Sequence, residues 1–257
     1  MTKDTLKEAF LQSGLNNVEI IYFDDTDSTN TRAKEYARAK KEITPTVFVA
    51  DRQTAGRGRM GRSFASDAGV GLYYTLLFAP ADRNLNFTEI TARCAVAVRR
   101  AVLSLAGAAC EIKWVNDLFY EGRKLAGILA EGEVDSLGNI RYAAVGVGIN
   151  VRKRRFEDGL FDIATTVEDA SGKAPSRSHL AAFITRELLS PEPFDSIMRE
   201  YRENLLTLGK AVTVRELSGA VYSARAVSLT DTAALTVELA DGRRKNLISA
   251  DVSVKIN

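Results

Sequence analysis

Apolar and polar positions repeat with two different periods along the chain, and each change of period marks a new element. Near-continuous or alternating apolar runs at VEIIYFD (Val18 to Asp24), TVFVA (Thr46 to Ala50) and GLYYTLLF (Gly71 to Phe78) predict strands. Helical spacing predicts a short helix over Thr5 to Gly14, ended by its glycine, and a second over TRAKEYARAKK after Asn30. It also predicts a long core helix over Thr88 to Ala106, closed by Gly107. The stretch CEIKWVNDLFYEGRKLAGILAEGEV reads as a strand, a polar interruption, a hairpin around Glu121 to Arg123 and a returning strand to Val134. After a turn at Asp135 to Asn139, IRYAAVGVGINV completes an antiparallel meander at Val151.

Beyond Arg152 the alternation fades. KRRFEDG is a polar loop, a helical stretch near Ala164 to Ala170 ends at Gly172, and further helices are predicted over His179 to Leu189 and Phe194 to Leu206. From about Lys210 the style changes again, to short alternating strands separated by SG, TD and DG turns. The predicted class is therefore α+β: a mixed, largely antiparallel sheet with helices on one face over residues 1–208, then a small β-barrel over residues 209–257.

The candidate chemistry begins in QTAGRGRMGRSF, Gln53 to Phe64, between two predicted strands. Gly56, Gly58 and Gly61 alternate with Arg57, Arg59 and Arg62, so backbone that can approach a ligand closely carries dense positive charge. The glycines satisfy GxGxxG and nearly the phosphate-loop pattern, but either motif must open a helix, and this stretch leads into β-branched and aromatic residues. No VAIK, HRD or DFG element follows to make it a kinase loop. A grip on an anion and a solvated basic turn both remain open.

DSTN, Asp27 to Asn30, reads either as simple helix capping or as hydroxyls of Ser28 and Thr29 presented to a neutral polar ligand group. In the meander, Lys113, Asn116, Asp117 and Lys124 interrupt apolar strands, and Gly127, Gly146 and Gly148 leave room beside the backbone. Paired charges at a hairpin end are the plainer account of the first group. His179, the sole histidine, has no partner for a triad or a metal site and reads as structural.

Composition narrows the classes. The 257 residues suffice for one sizeable core plus a small module, and 46% hydrophobic with 26% charged content excludes a disordered chain. Thirty-five basic against thirty-three acidic residues leave a net charge of +2, so any attraction for anions must come from local clustering. No run has the length of a membrane span and the start is charged, so the expected location is cytoplasmic. Cys94 and Cys110 have no metal or redox spacing and read as buried thiols.

DSTN, then GRGRMGR after Gln53, then KWVNDLFYEGRKLAGIL, then VGVGINV, with a closing β-module, together resemble the biotin protein ligases over nearly the whole chain. The resemblance implies a class II synthetase-like catalytic fold with a C-terminal SH3-like barrel. It implies ATP-dependent conversion of biotin to biotinyl-5′-adenylate, and transfer of the biotinyl group to one lysine of a carboxylase carrier domain. Joining a carboxylate to an α-phosphate opposes two anions, each close pair costing about 4 kcal/mol at an effective dielectric near 20.

By resemblance Arg59 and Lys124 meet that junction, Arg57 and Lys113 support them, and Asp117 orients Lys124 or the incoming lysine. Ser28, Thr29, Asn30 and Gln53 would hold the ureido ring, with Gly58, Trp114, Leu125 and Gly127 along the ring and tail. Arg62, Phe64, Asn116 and Asn150 would face the nucleotide, with Mg²⁺ arriving on ATP rather than in a protein cage. Val115 stands where the family often has proline, Met60 breaks the arginine run, and Phe64 stands where tryptophan is frequent. Asp251 and Lys255 correspond to a C-terminal region that can meet the nucleotide.

The expected partners are biotin and the carrier domain, with no DNA and no membrane, in a monomer or homodimer. An adenylate-sensing repressor is disfavoured, since only twenty-seven residues precede Ser28 and no basic face compensates. A lipoate or octanoate transferase of related fold is the enzyme alternative.

Overall fold

Side chains of successive strand residues point to opposite faces, and here both faces of the main sheet are apolar, so both must be covered. The computed structural model describes residues 1–82, 85–154, 163–248 and 250–254. Its large sheet joins β1 (Glu19–Thr26), β2 (Thr46–Gln53), β3 (Gly71–Phe78), β4 (Glu111–Lys113), β5 (Asp117–Tyr120), β6 (Arg123–Val134) and β7 (Ile140–Asn150) in the order β1-β2-β3-β7-β6-β5-β4. Only β1 and β2 pair in parallel; every other neighbour is antiparallel.

One face carries Val47, Val49, Leu72, Leu76, Val145 and Ile149 into the principal core. They meet α1 (Lys3–Gln12), α3 (Phe87–Ala106), α5 (Arg177–Leu188) and α6 (Phe194–Glu203) there. The other face receives a single helix, α2 (Thr29–Arg38), whose Ala33 and Ala37 lie over Phe48, Leu77, Tyr142 and Ala144. Alanine at these positions lets α2 sit close to the sheet, and it leaves the rest of that face open beyond the helix N-terminus. The cleft lies there.

The hairpin at Glu121 to Arg123 turns through Glu121 (φ 47°) and Gly122 (φ 76°), the two positive dihedrals of a tight two-residue connection. The helices are offset from the sequence expectation by a few residues, α1 and α2 starting and ending two or three residues earlier, and for α4 (Val167–Ser171), α5 and α6 the offset has a visible local reason. α4 starts after Ala164 because Ile163 and Thr165 are held extended against Lys124: Lys124 N donates to Ile163 O at 2.8 Å and Thr165 N to Lys124 O at 2.9 Å. α5 begins before His179 because Ser176 is the cap that accepts from His179 N, at 3.4 Å. α6 stops at Glu203 because the chain straightens to cover the edge of β4, with Ile112 N donating to Asn204 O at 2.8 Å and Leu206 N to Ile112 O at 2.9 Å. The expected KRRFEDG loop lies mostly outside the described residues. Cys94 and Cys110 are buried free thiols, and burial raises both, Cys110 to about 11.

The C-terminal strands β8 (Ala211–Glu216), β9 (Val221–Leu229), β10 (Leu235–Glu238), β11 (Arg244–Leu247) and β12 (Ala250–Val254) form an antiparallel sheet in the order β11-β10-β9-β8-β12. It is fastened to the β4–β5 connection and to α3. The Trp114 indole Nε1 donates to Ala233 O at 2.9 Å, and Thr88 Oγ1 donates to Ile248 O at 3.2 Å. No helix among the described residues is long and apolar enough to cross a membrane.

Candidate active site

The basic loop after β2 folds back on itself as a narrow hairpin. Phe64 N donates to Gly56 O at 2.9 Å and Gly58 N to Arg62 O at 2.7 Å, around a single 3₁₀ turn at Arg59–Gly61. Close packing of the two arms demands glycine: a Cβ at Gly56 would lie 2.3 Å from Phe64 O. Alternation of glycine and arginine therefore serves geometry as well as charge. Arg57, Arg59 and Arg62 all line the cavity.

Opposite the loop, β5 and β6 present a linked set of polar groups. Arg59 Nη1 donates to Asn116 Oδ1 at 3.2 Å, and Asn116 Nδ2 donates both to Asp117 Oδ1 at 2.9 Å and to Ile128 O at 3.0 Å. Lys124 Nζ meets the same Asp117 oxygen at 2.8 Å. A Cβ at Gly127 would stand 3.1 Å from that ammonium, so the glycine keeps Lys124 open to the cavity. Arg59, Asn116, Asp117 and Lys124 thus form one connected group, and Lys113 lines the same cavity with its Nζ 5.2 Å from the Phe119 ring. Tyr201 lies beneath, its hydroxyl donating to Val115 O at 3.0 Å and burial raising its pKa.

The far end of the cavity is neutral. Ser28 is the N-cap of α2 yet makes no capping bond with its side chain, which decides against simple capping for this residue. Thr29 N and Oγ1 both donate to Gln53 Oε1, at 2.8 and 3.1 Å, while Gln53 Nε2 donates to Ser66 Oγ at 3.0 Å and Ser66 Oγ to Phe64 O at 2.9 Å. Thr75 Oγ1 lies 2.8 Å from Thr29 Oγ1 and 2.7 Å from Asn30 Oδ1. Asn30 Nδ2 donates to Leu129 O at 3.2 Å and to Glu131 Oε2 at 2.9 Å, and Lys34 Nζ closes the chain on Glu131 Oε1 at 2.6 Å. Burial pushes the Glu131 carboxyl upward, but its bonds from Lys34 and Asn30 outweigh that and hold it below the usual range.

Ser28, Thr29, Asn30, Gln53, Arg57, Gly58, Arg59, Arg62, Phe64, Lys113, Trp114, Asn116, Asp117, Lys124 and Gly127 therefore share one cavity, as their spacing in the sequence could not reveal. Two expected positions fall outside its lining. Leu125, opposite a register slip at Leu118/Phe119, is fully buried in the principal core. Asn150 is buried at the end of β7, paired with Gly71. The room beside two strand glycines is also filled by the protein itself: a Cβ at Gly146 would lie 2.2 Å from Asn30 Oδ1, and one at Gly148 would lie 2.6 Å from the Phe64 ring.

Trp114 does more than form a wall, because its indole is tied to Ala233 of the C-terminal sheet. That sheet contributes Ala250 and Val252 to the lining, which pattern reading did not anticipate. Thr75, Ser66 and Glu131 were missed as well. Two of them had a signal: Thr75 and Glu131 are polar breaks inside the apolar runs YYTLL and AGILAE. Lys255 lies outside the described residues; Asp251 pairs in β12 with Arg215.

Residues 22–150 match the Biotin/lipoate A/B protein ligase family, and residues 207–255 match the Biotin protein ligase C terminal domain. The chain is 32% identical to the bifunctional ligase/repressor BirA of Bacillus spizizenii, over 97% of this chain and 79% of that protein. It is 31% identical to the biotin–[acetyl-CoA-carboxylase] ligase of Mycobacterium tuberculosis, over 80% of this chain and 77% of that one. Its fold is similar to that of the Aquifex aeolicus biotin protein ligase solved in complex with biotin and ATP, with a TM-score of 0.77 and 25% identity over 92% of this chain and 99% of that chain.

Proposed function

The chain belongs to the biotin/lipoate A/B protein ligase family as a biotin protein ligase, and from that premise we propose how its cleft carries out the reaction. Such an enzyme activates biotin with ATP to biotinyl-5′-adenylate and pyrophosphate, then transfers the biotinyl group to a lysine. The acceptor is a biotin carboxyl carrier domain of a carboxylase. Residues 1–208 act as the catalytic part and residues 209–257 as a small module that closes one side of the cleft.

Biotin lies with its ureido ring at the neutral end, against Ser28, Thr29 and Gln53. Its carboxylate reaches toward Arg59 and Lys124, where the α-phosphate arrives. What supports this reading above all is the connected group of Arg59, Asn116, Asp117 and Lys124, which links two cations through an amide and a carboxylate on the wall of the same cavity. The carboxylate oxygen attacks the α-phosphorus, the new C–O–P linkage forms, and the P–O bond to pyrophosphate breaks. Arg59 and Lys124 stabilise the charge gathering on the phosphorus oxygens, a kind of preorganised help that removal of one donor reduces by about 10²- to 10³-fold. Arg57 and Arg62 hold the outer phosphates and Phe64 covers the adenine.

In the second step the carrier lysine attacks the acyl carbon and AMP leaves. Asp117 orients Lys124 and is the nearest carboxylate to receive the amine proton. Among the described residues the lining offers Mg²⁺ one carboxylate, Asp117, already bonded to Lys124, so the donor set fits an ion that would be held chiefly by the triphosphate and would neutralise its oxygens.

Biotin-dependent exchange of pyrophosphate into ATP, measured on the purified chain with lipoate as the competing acid, tests the reading. Exchange with biotin and none with lipoate is expected; exchange driven by lipoate or octanoate alone would overturn it.

A further inference from the structure

We propose that Glu131, which touches no substrate, is a positioning residue that sets the hydrogen-bond polarity of the ring end of the cleft. The inference rests on the ligase reading and extends it to how the ring is recognised.

The argument starts from which atoms can donate. An ionised carboxylate and a backbone carbonyl only accept, so the two bonds from Asn30 to Glu131 Oε2 (2.9 Å) and Leu129 O (3.2 Å) both come from its amide nitrogen. Asn30 Oδ1 must then face Thr75, 2.7 Å away, and the single Thr75 hydroxyl proton goes to it. From the other direction, Thr29 N–H needs an acceptor, which orients Gln53 with its oxygen toward Thr29 at 2.8 Å. Thr29 Oγ1 gives its own proton to Gln53 Oε1 at 3.1 Å, and it stands 2.8 Å from Thr75 Oγ1 as the second acceptor within reach of the proton that Asn30 Oδ1 takes.

The Thr29 proton is thus directed into the protein, and the hydroxyl shows only lone pairs to the cavity it lines. It is an acceptor awaiting an N–H. Ser28 beside it accepts no capping bond, and its rotatable hydroxyl can turn its proton to a carbonyl. A cyclic urea carries both groups, whereas the dithiolane ring of lipoate carries neither and would leave Thr29 and Ser28 desolvated without partners.

Glu131 is the residue on which this order depends. It is anchored by Lys34 at 2.6 Å, and Gly146 leaves the space in which Asn30 reaches it. Glutamine at the same place, with its oxygen held by Lys34, would turn an amide nitrogen toward Asn30. Asn30 would then reverse, and the Thr75 proton would fall on Thr29 Oγ1 and occupy a lone pair meant for the ligand.

The test compares biotin with its ring-N-methylated derivative in pyrophosphate exchange, using the full chain and Glu131→Gln. The variant is expected to raise the KM for biotin roughly tenfold, the worth of one hydrogen bond, with the KM for ATP and kcat unchanged. Discrimination against the N-methyl derivative should shrink by the same factor. Adding Thr75→Val, which has no proton to misdirect, should restore most of the biotin affinity. Asn30→Ala, which releases the same proton, should also raise the KM for biotin and be partly rescued by Thr75→Val, and it serves if Glu131→Gln does not fold. An unchanged KM for biotin, an equal loss for biotin, derivative and ATP, or no rescue by Thr75→Val would overturn the proposal. A wild-type chain without biotin-dependent exchange would instead overturn the ligase reading itself.

Discussion

At the α2 end of the cleft, polar side chains from Lys34 to Ser66 follow one another within hydrogen-bonding distance, and Thr29, Asn30 and Thr75 are buried. At the loop end, three arginines ride on a glycine hairpin, and Lys124 keeps 35% of its side chain exposed. The first end is rigid and neutral, the second charged and adaptable. The contrast follows the chemistry: recognising a neutral ring needs donors and acceptors held in fixed directions, while joining two anions needs positive charge that can close on them once they are bound.

The largest effect expected from separating the two ends is at Lys124. Lys124→Ala should slow adenylate formation by about 10²- to 10³-fold while weakening biotin binding by a smaller factor, as pyrophosphate exchange and calorimetric titration would report. Arg59→Ala should keep the fold and slow adenylation by roughly 10²-fold, with the adenylate leaking from the site. In the unaltered protein the loop should be cut readily by a protease without ligand and be protected by an adenylate. Equal protection in both states would contradict an adaptable loop.

Gly146→Ala acts on the opposite end. Its Cβ would press on Asn30 Oδ1 from 2.2 Å, and the expected outcome is a loss of about 1–3 kcal/mol in stability, with biotin affinity falling more than ATP affinity. Salt should also divide the ends. Raising ionic strength well above physiological should increase the KM for ATP several-fold and the KM for biotin little, since exposed charges are screened and buried neutral bonds are not.

The smallest effect concerns a third region. Bonded first of all by Arg100, which lies 2.6 Å away, Glu192 is held down at about 2. Because its pKa is lower in the folded chain than in the unfolded one, it contributes stability above about pH 4.3, and that contribution is lost as the pH falls toward 2. Acid titration of Glu192→Gln should show a shallower loss of stability over this window, with pyrophosphate exchange near neutral pH unchanged.

Much of this architecture could be read along the chain because it is local. Period-2 and helical spacing are imposed by backbone geometry, glycines at φ 72–88° mark turns and helix ends, and the GRGRMGR and KLAGIL segments carry their chemistry in consecutive residues. Helix ends were less legible where distant backbone intervened, as at α4 and α6, whose limits depend on bonds to Lys124 and Ile112. Leu125 and Asn150 could not be placed by alternation, since one lies opposite a register slip and the other at a strand terminus.

By itself, then, the sequence determined the order of strands and helices, the glycine-arginine loop and the residue types able to bring a carboxylate and a nucleotide together. Tertiary structure alone decided that Thr75, Ser66 and Glu131 belong to the same site, that Asn30 faces Glu131, and that Ala250 and Val252 close one wall. The physical reason is distance along the chain: Asn30 and Glu131 are separated by 101 residues, and only the pairing of β3, β7 and β6 brings them to 2.9 Å. A hydrogen bond has direction, and direction exists only once both partners have been folded into place.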